Sequence, residues 1–245
     1  MQTERVTQEG YAAVILAGGA GRRLGGVDKV AVPVAGRPML ERVLTAVADA
    51  ATRVVVGPPR DGLPADVLRV REEPPGGGPV AAAAAGLDVL PAAVSWVALL
   101  AGDLPYLTPE AVALLRAAAA DPGLDGASTV DGAVLVDSEG RAQLLCGVWR
   151  AGALRTRLAA LAGAGAGEVG AGLGRVGAVG AVGAGPGGVG AAAAGSGGLA
   201  GQSMRALLAG LRVAEVIVPV AGSAPPPWYD CDTEDDLRRA EEWGR

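Results

Sequence analysis

Residues 11–29 read YAAVILAGGAGRRLGGVDK, and their pattern decides the class of fold. Tyr11 to Ala17 is a short apolar run closed by Gly18-Gly19, the pattern of a buried strand. A Gly-rich turn after such a strand lets backbone N–H groups come close to phosphate oxygens. Arg22, Arg23 and Lys29 follow within a few residues, enough positive charge to hold a triphosphate. Lys29 is the one lysine of the chain; the rest of its 21 basic residues are arginines. A bias toward Arg spares Lys where a compact ammonium serves and a planar guanidinium does not. Chance survival on a solvated loop is the competing reading.

Two familiar Gly-rich patterns do not fit. A P-loop needs Gly-Lys-Ser/Thr, and Lys29 stands between Asp28 and Val30. A dinucleotide fingerprint needs G-x-G-x-x-G and an acid at the end of the second strand, and RVVVGPP, residues 53–59, has none.

Working outward, apolar runs and helical spacings alternate. Arg53–Gly57, Val67–Arg71 and Ser95–Ala101 read as further strands, with Gly102-Asp103 at the end of the last. Pro38–Ala50, Pro79–Leu90 and Thr108–Ala120 read as helices, Pro38 in a first turn and Thr108 as an N-cap followed by Pro109. This alternation predicts an α/β fold: a doubly wound, mostly parallel sheet with helices on both faces, its ligands at the carboxyl ends of the strands. Ala127–Val136 and Gln143–Trp149 predict a hairpin, Ala151–Leu161 a helix, Arg212–Val220 a strand, and Thr233–Trp243 a helix capped by Thr233. Gly163–Gly201 is dominated by Gly and Ala, which makes ordering costly, and predicts a flexible insertion within one domain spanning 1–245.

Composition removes several functions. The chain has 245 residues, a net charge of −5 and no His. Imidazole bases, Ser-His-Asp triads and His metal ligands are therefore excluded. An acidic balance argues against nucleic-acid binding, and no run approaches a membrane span. The polar start of the chain lacks a secretory h-region, so a cytoplasmic protein is expected. Cys146 and Cys231 are too few for a zinc or iron–sulfur site and read as ordinary half-buried residues.

The stretch from Leu16 to Lys29 fits L-A-G-G-x-x-x-R-x-G-x-x-D-K. It resembles the signature of nucleotidyltransferases that activate small molecules with an NTP, and within them the MobA-like molybdenum cofactor guanylyltransferases. The resemblance implies a Rossmann-like nucleotidyltransferase fold. It implies that Leu16, Ala17, Gly18, Gly19 and Gly21 line the nucleotide and that Arg23 and Lys29, with Arg22 as a helper, bind its phosphates. VALLAGDLPYL, residues 97–107, resembles the family strand ending in an Asp-x-Pro step and implies Asp103 as the Mg²⁺ ligand. A hard cation of this kind takes one or two carboxylates plus phosphate oxygens and waters. GGGPVAAAAAGL, residues 76–87, resembles the family's G-P-L-A-G segment, with Gly78 and Pro79 matching and Ala82 in place of a Gly. Glu72 and Glu73 precede it. Guanine offers N1–H and N2–H₂ donors that a carboxylate accepts, and Glu73 is the choice for that contact.

Three departures touch the acceptor side. Leu144-Leu145 stands where the family writes His-Pro. Gln202 replaces an Arg, although Ser203 and Arg205 match. WYDCDTEDDL, residues 228–237, resembles the N/D-x-N/D-T-P-E-D-L segment, and alternation on a short strand would turn Asp230 and Asp232 to one side, Asp232 toward the metal or the acceptor. The Asp pair is more usual in cytidylyltransferases, whereas the absence of a Ser at the start of the Pro79 helix favours guanylyl transfer. The resemblance implies GMP transfer from GTP to the phosphate of molybdopterin, with Mg²⁺ and release of pyrophosphate. The alternatives are cytidylyl transfer to molybdopterin, nucleotidyl transfer to another phosphorylated metabolite, and a non-catalytic nucleotide-binding regulator. Apo-molybdoenzymes or other proteins of the cofactor pathway are the candidate protein partners; no nucleic acid or membrane partner is expected.

Overall fold

The apolar run at the head of the chain is a strand, β1 (Tyr11–Leu16), buried at every position. The computed structural model describes residues 10–18, 28–121, 130–169, 196–220 and 222–245. After β1 come β2 (Pro33–Val34), β3 (Arg37–Pro38), α1 (Met39–Ala46), β4 (Thr52–Val56), β5 (Val67–Val70), α2 (Pro79–Asp88), β6 (Trp96–Ala101) and α3 (Pro109–Ala120). Then follow β7 (Gly132–Val136), β8 (Ala142–Arg150), α4 (Ala151–Val169), α5 (Met204–Leu208), β9 (Val213–Ile217) and α6 (Glu234–Trp243).

Seven strands form one sheet in the order β5-β4-β1-β6-β8-β7-β9, and β2 and β3 form a separate two-stranded ribbon. β1 pairs in parallel with β4 and β6, β4 with β5, and β7 with β9; β8 alone runs antiparallel to its neighbours β6 and β7. The expected mostly parallel α/β sheet is therefore present, with the expected hairpin as its one reversal. Leu16 stands level with both Val56 and Ala101, so the carboxyl ends of β1, β4 and β6 form one edge.

Because side chains alternate along a strand, each face of the sheet builds its own core. Ala13, Ile15, Val55 and Leu100 meet α1 and α3 through Val43, Leu44 and Leu115. Ala12, Val14, Val56 and Leu99 meet α2, α4 and α5 through Ala83, Leu154 and Leu207. α2 lies close enough to the sheet that a Cβ at Gly86 would fall 2.4 Å from Val14 Cγ1.

Local differences from the sequence expectations have local causes. Pro38 is the N-cap of α1, with ψ 139°, and its carbon skeleton belongs to the β2–β3 ribbon instead of the first helical turn. α4 runs on to Val169, past its expected end and into the Gly/Ala-rich segment. The far end of that segment is packed too. Ser196–Leu199 form a 3₁₀ turn, Leu199 is buried among α2, α4 and α5, and the Gly201 N–H donates to the Gly77 carbonyl at 2.9 Å. Only residues 170–195 of the expected insertion lie outside the described residues. Both cysteines are fully buried, not half-buried, because Cys146 is on the covered face of β8 and Cys231 sits among Val34, Met39 and Ala240.

Candidate active site

The level edge of β1, β4 and β6 gathers the site. The Ala17 N–H donates to the Val56 carbonyl at 2.7 Å, and the Gly102 N–H donates to the Leu16 carbonyl at 2.9 Å. Gly18 therefore leaves the sheet between the ends of two neighbours. The turn after β4 lies tight against it: at Gly57, φ is 156° and a Cβ would lie 2.8 Å from the Ala17 carbonyl group. Only glycine permits that approach, and the Gly57 N–H is spent on the Val70 carbonyl at 3.0 Å.

Lys29 opens a short 3₁₀ turn, Lys29–Ala31, pinned by the buried Val30. Its ammonium pairs with the Asp103 carboxylate at the end of β6 and with Asp232 Oδ1 at 2.5 Å. Burial works against the charge on Lys29, but the two carboxylates outweigh it, and the amine titrates above its ordinary value. Lys29 stays protonated across the physiological range. One cation thus joins an early turn, the central strand edge and a segment 203 residues later.

Asp230 and Asp232 lie in irregular chain, not on the short strand expected for them. Among the described residues no neighbouring strand pairs with residues 228–233; the preceding prolines lead into a turn in which Tyr229 N–H donates to the Pro226 carbonyl at 3.1 Å. Alternation survives in part: Cys231 is buried while Asp230 and Asp232 are exposed. Both border a pocket of about 350 Å³ together with Asp103, Gln143, Leu145 and Trp228. Loss of solvent at the pocket wall, and then the charges of Asp232 and Asp103, raise the Asp230 carboxyl above its ordinary value. Burial, then the Asp103 charge, pushes the Cys231 thiol up to about 12.

On the other side of the edge, Glu72 is 8% exposed. Its Oε1 accepts from the Gly76 N–H at 2.9 Å, and a Cβ at Gly18 would lie 3.7 Å from that oxygen. Its Oε2 is buried with no hydrogen-bond partner among the described residues. Glu73, chosen from the sequence, is exposed instead. Burial alternates as the chain leaves β5, with Arg71 out, Glu72 in and Glu73 out, so Glu72 is the carboxylate carried to the Gly-rich segment. Gly78, with φ 90°, is the N-cap of α2.

The structure therefore brings Lys29, Asp103 and Asp232 together, and sets Leu16, Ala17 and Gly18 at the same edge. Gly19, Gly21, Arg22 and Arg23 lie outside the described residues. Two contributors were not singled out by sequence reasoning: Gln143, which lines the pocket beside Asp103, and Arg60, which reaches back to Ala17. A lone Arg after Gly-Pro-Pro carries no motif that would have marked it.

A metal fits this arrangement. Among the described residues no group of three or more Cys, Asp and Glu side chains is placed to enclose an ion. Two carboxylates do converge on one cation, the Lys29 ammonium. That donor set matches a hard ion completed by phosphate oxygens and water, not a fully caged one. Among the described residues no helix is long and apolar enough to cross a membrane.

A family model described as the MobA-like NTP transferase domain matches residues 13–176. Over 114 residues the chain is 42% identical to the molybdenum cofactor guanylyltransferase of Rhodobacter capsulatus, covering 44% of this chain and 58% of that protein. The chain thus spans little more than half the length of that relative. Molybdopterin-guanine dinucleotide biosynthesis protein A from Archaeoglobus fulgidus superposes with a TM-score of 0.56 at 18% identity, covering 94% of this chain and 97% of that one. The 2-C-methyl-D-erythritol 4-phosphate cytidylyltransferase of Thermus thermophilus superposes with a TM-score of 0.55 at 20% identity, covering 96% and 98%. The fold alone does not separate guanylyl from cytidylyl transfer.

Proposed function

Since the chain belongs to the MobA-like NTP transferase family, we propose that it transfers GMP from GTP to the phosphate of molybdopterin, releasing pyrophosphate. The observation that carries this reading is the convergence of Lys29, Asp103 and Asp232 at the sheet edge where Gly18 leaves β1. The likeness to a curated guanylyltransferase favours GTP.

Asp103 and Asp232 would hold Mg²⁺, which when bound supplies positive charge to the phosphate oxygens. Lys29, protonated throughout, supplies a second positive charge, and Arg23 with Arg22 a third, for the leaving pyrophosphate. Gly18, Gly19 and Gly21 offer backbone N–H donors without side chains in the way. Glu72, whose Oε1 lies beside Gly18 and whose buried Oε2 has no partner among the described residues, supplies the carboxylate acceptor that a purine amide and amine require. The acceptor would occupy the pocket bordered by Gln143, Leu145 and Trp228, its ring system against the indole. An ionised phosphate needs no base to attack, in keeping with a chain that has no His.

Asp230 and Asp232, both on the pocket wall, favour a second reading, cytidylyl transfer to the same acceptor. Thermal stabilisation by GTP, CTP, ATP and UTP, each with and without Mg²⁺, tests both. A ligand at a hundred times its Kd adds about 2.7 kcal/mol. A Mg²⁺-dependent shift with GTP alone, lost in Lys29→Ala, is the expected result. A shift with CTP alone transfers the assignment to the second reading, and no shift with any nucleotide overturns both. Turnover with molybdopterin and release of pyrophosphate separates an enzyme from a nucleotide-binding regulator.

A further inference from the structure

We propose that Arg60 is a positioning residue: it ties together the two ends of the Gly-rich segment and, through Asp28, sets Lys29 on Asp103 and Asp232. The inference deepens the nucleotide-binding reading above and rests on it for one of its two readouts.

Arg60 follows Gly57-Pro58-Pro59 at the end of β4, and its side chain is 9% exposed. Its Nε donates to Asp28 Oδ2 and its Nη2 to Asp28 Oδ1, both at 2.8 Å, a two-pronged pairing. Nη2 also donates to the Ala17 carbonyl at 2.5 Å. Ala17 precedes the Gly-rich segment and Asp28 ends it, so one guanidinium spans both. On its own side Arg60 is steadied by Arg69, whose Nη1 donates to the Arg60 carbonyl at 3.3 Å. The Asp28 carbonyl accepts the Ala31 N–H at 3.0 Å, which opens the turn carrying Lys29. The connection runs from Arg60 to Asp28 and from Asp28 to the backbone of Lys29.

The two-pronged grip fixes Asp28, and with it the turn that sets Lys29 against Asp103 and Asp232. A Lys at position 60 keeps the charge but cannot grip a carboxylate by two parallel bonds while reaching a carbonyl. Stability is a poor reason for this placement: Arg60 Nη1 is buried with no partner among the described residues, which costs free energy that an apolar residue would avoid.

Because Lys29 is the only lysine, acylation by an N-hydroxysuccinimide ester, mapped by peptide mass, reports its environment directly. The rate in the folded chain is divided by the rate in the urea-unfolded chain. Lys29 is expected to be protected in the unaltered protein. Arg60→Lys, Arg60→Ala and Asp28→Asn are each expected to speed its acylation about tenfold or more. The double variant Arg60→Ala with Asp28→Asn is expected to add nothing beyond either single change, as for two groups acting in series. Arg53→Ala, which removes the pair with Asp66 elsewhere on the sheet, is expected to leave the rate unchanged. The second readout is the Kd for Mg–GTP, expected to weaken about 10- to 100-fold in Arg60→Lys. Unchanged acylation in a folded Arg60 variant, or additive effects of Arg60 and Asp28, overturns the proposal. An unaltered protein that binds no nucleotide overturns the functional reading, while the acylation rates still decide the role of Arg60.

Discussion

The ammonium of Lys29 is the smallest unit on which the functional reading turns. Two carboxylates share it, and its removal takes away the cation that both of them pair with. Asp103→Asn is expected to lower kcat/KM by about 10²- to 10³-fold with little change in fold, measured as pyrophosphate release. Glu72→Gln keeps the Gly76 bond but removes the charge. If the unpaired oxygen reads guanine, the variant loses discrimination between GTP and ITP, an analogue lacking the N2 amine, in competitive binding. Equal discrimination in variant and parent would remove Glu72 from the site. The cysteines set a contrast. Burial pushes the Cys146 thiol up to about 12, so little thiolate exists at neutral pH. Iodoacetamide labelling of the folded chain at about pH 8 is expected to run about 10²-fold or more slower than labelling of the unfolded chain.

At the scale of elements, the site depends on how firmly its supports are held. α6 begins with a capping box: the Thr233 side chain accepts from the Asp236 N–H, and Asp236 Oδ2 accepts from the Thr233 N–H at 2.8 Å. Partial burial raises the Asp236 carboxyl, but the hydrogen bonds from Thr233 outweigh it and hold it below the usual range. A depressed folded value gives stability that is complete above the unfolded value, near 3.9, and is lost as pH falls through the folded one. The difference in Tm between the parent and Asp236→Asn is therefore expected to shrink as pH falls from about 6 to about 3. Thr233→Ala is expected to lower Tm by about 2–4 °C at neutral pH. Beneath the site, Gly86→Ala would drive a methyl into Val14 and is expected to cost about 1–3 kcal/mol, read from urea unfolding. Most of these elements were legible beforehand. β1, β4 and β6 are covered on both faces, so they read as unbroken apolar runs, and Thr108-Pro109 and Thr233 announced their helices. What stayed hidden depended on contacts distant in sequence. Glu72 and Glu73 differ only in which way the chain turns after β5, Arg60 acquires its role from partners 32 and 43 residues away, and the strand expected at Asp230 and Asp232 finds no neighbour to pair with among the described residues.

For the molecule as a whole, the Gly/Ala-rich segment departs and returns against the same helix. A Cβ at Gly198 would fall 2.9 Å from the Ala162 carbonyl oxygen of α4. Replacing residues 170–195 by a short Gly/Ser linker is expected to leave both Tm and GTP stabilisation unchanged, because closure entropy varies slowly with loop length. A loss of GTP stabilisation would give the segment a part in binding. The opposite holds for the chain's other distant connection. The ribosome has already made the Gly-rich segment, Lys29 and the strand bearing Asp103 long before Asp232 emerges. A nascent or prematurely terminated chain that stops short of Trp228 lacks Asp232, half of the carboxylate pair around the ammonium. Such a product is expected to show no Mg²⁺-dependent nucleotide stabilisation, so the cell's nucleotide pool would engage finished molecules and pass over fragments.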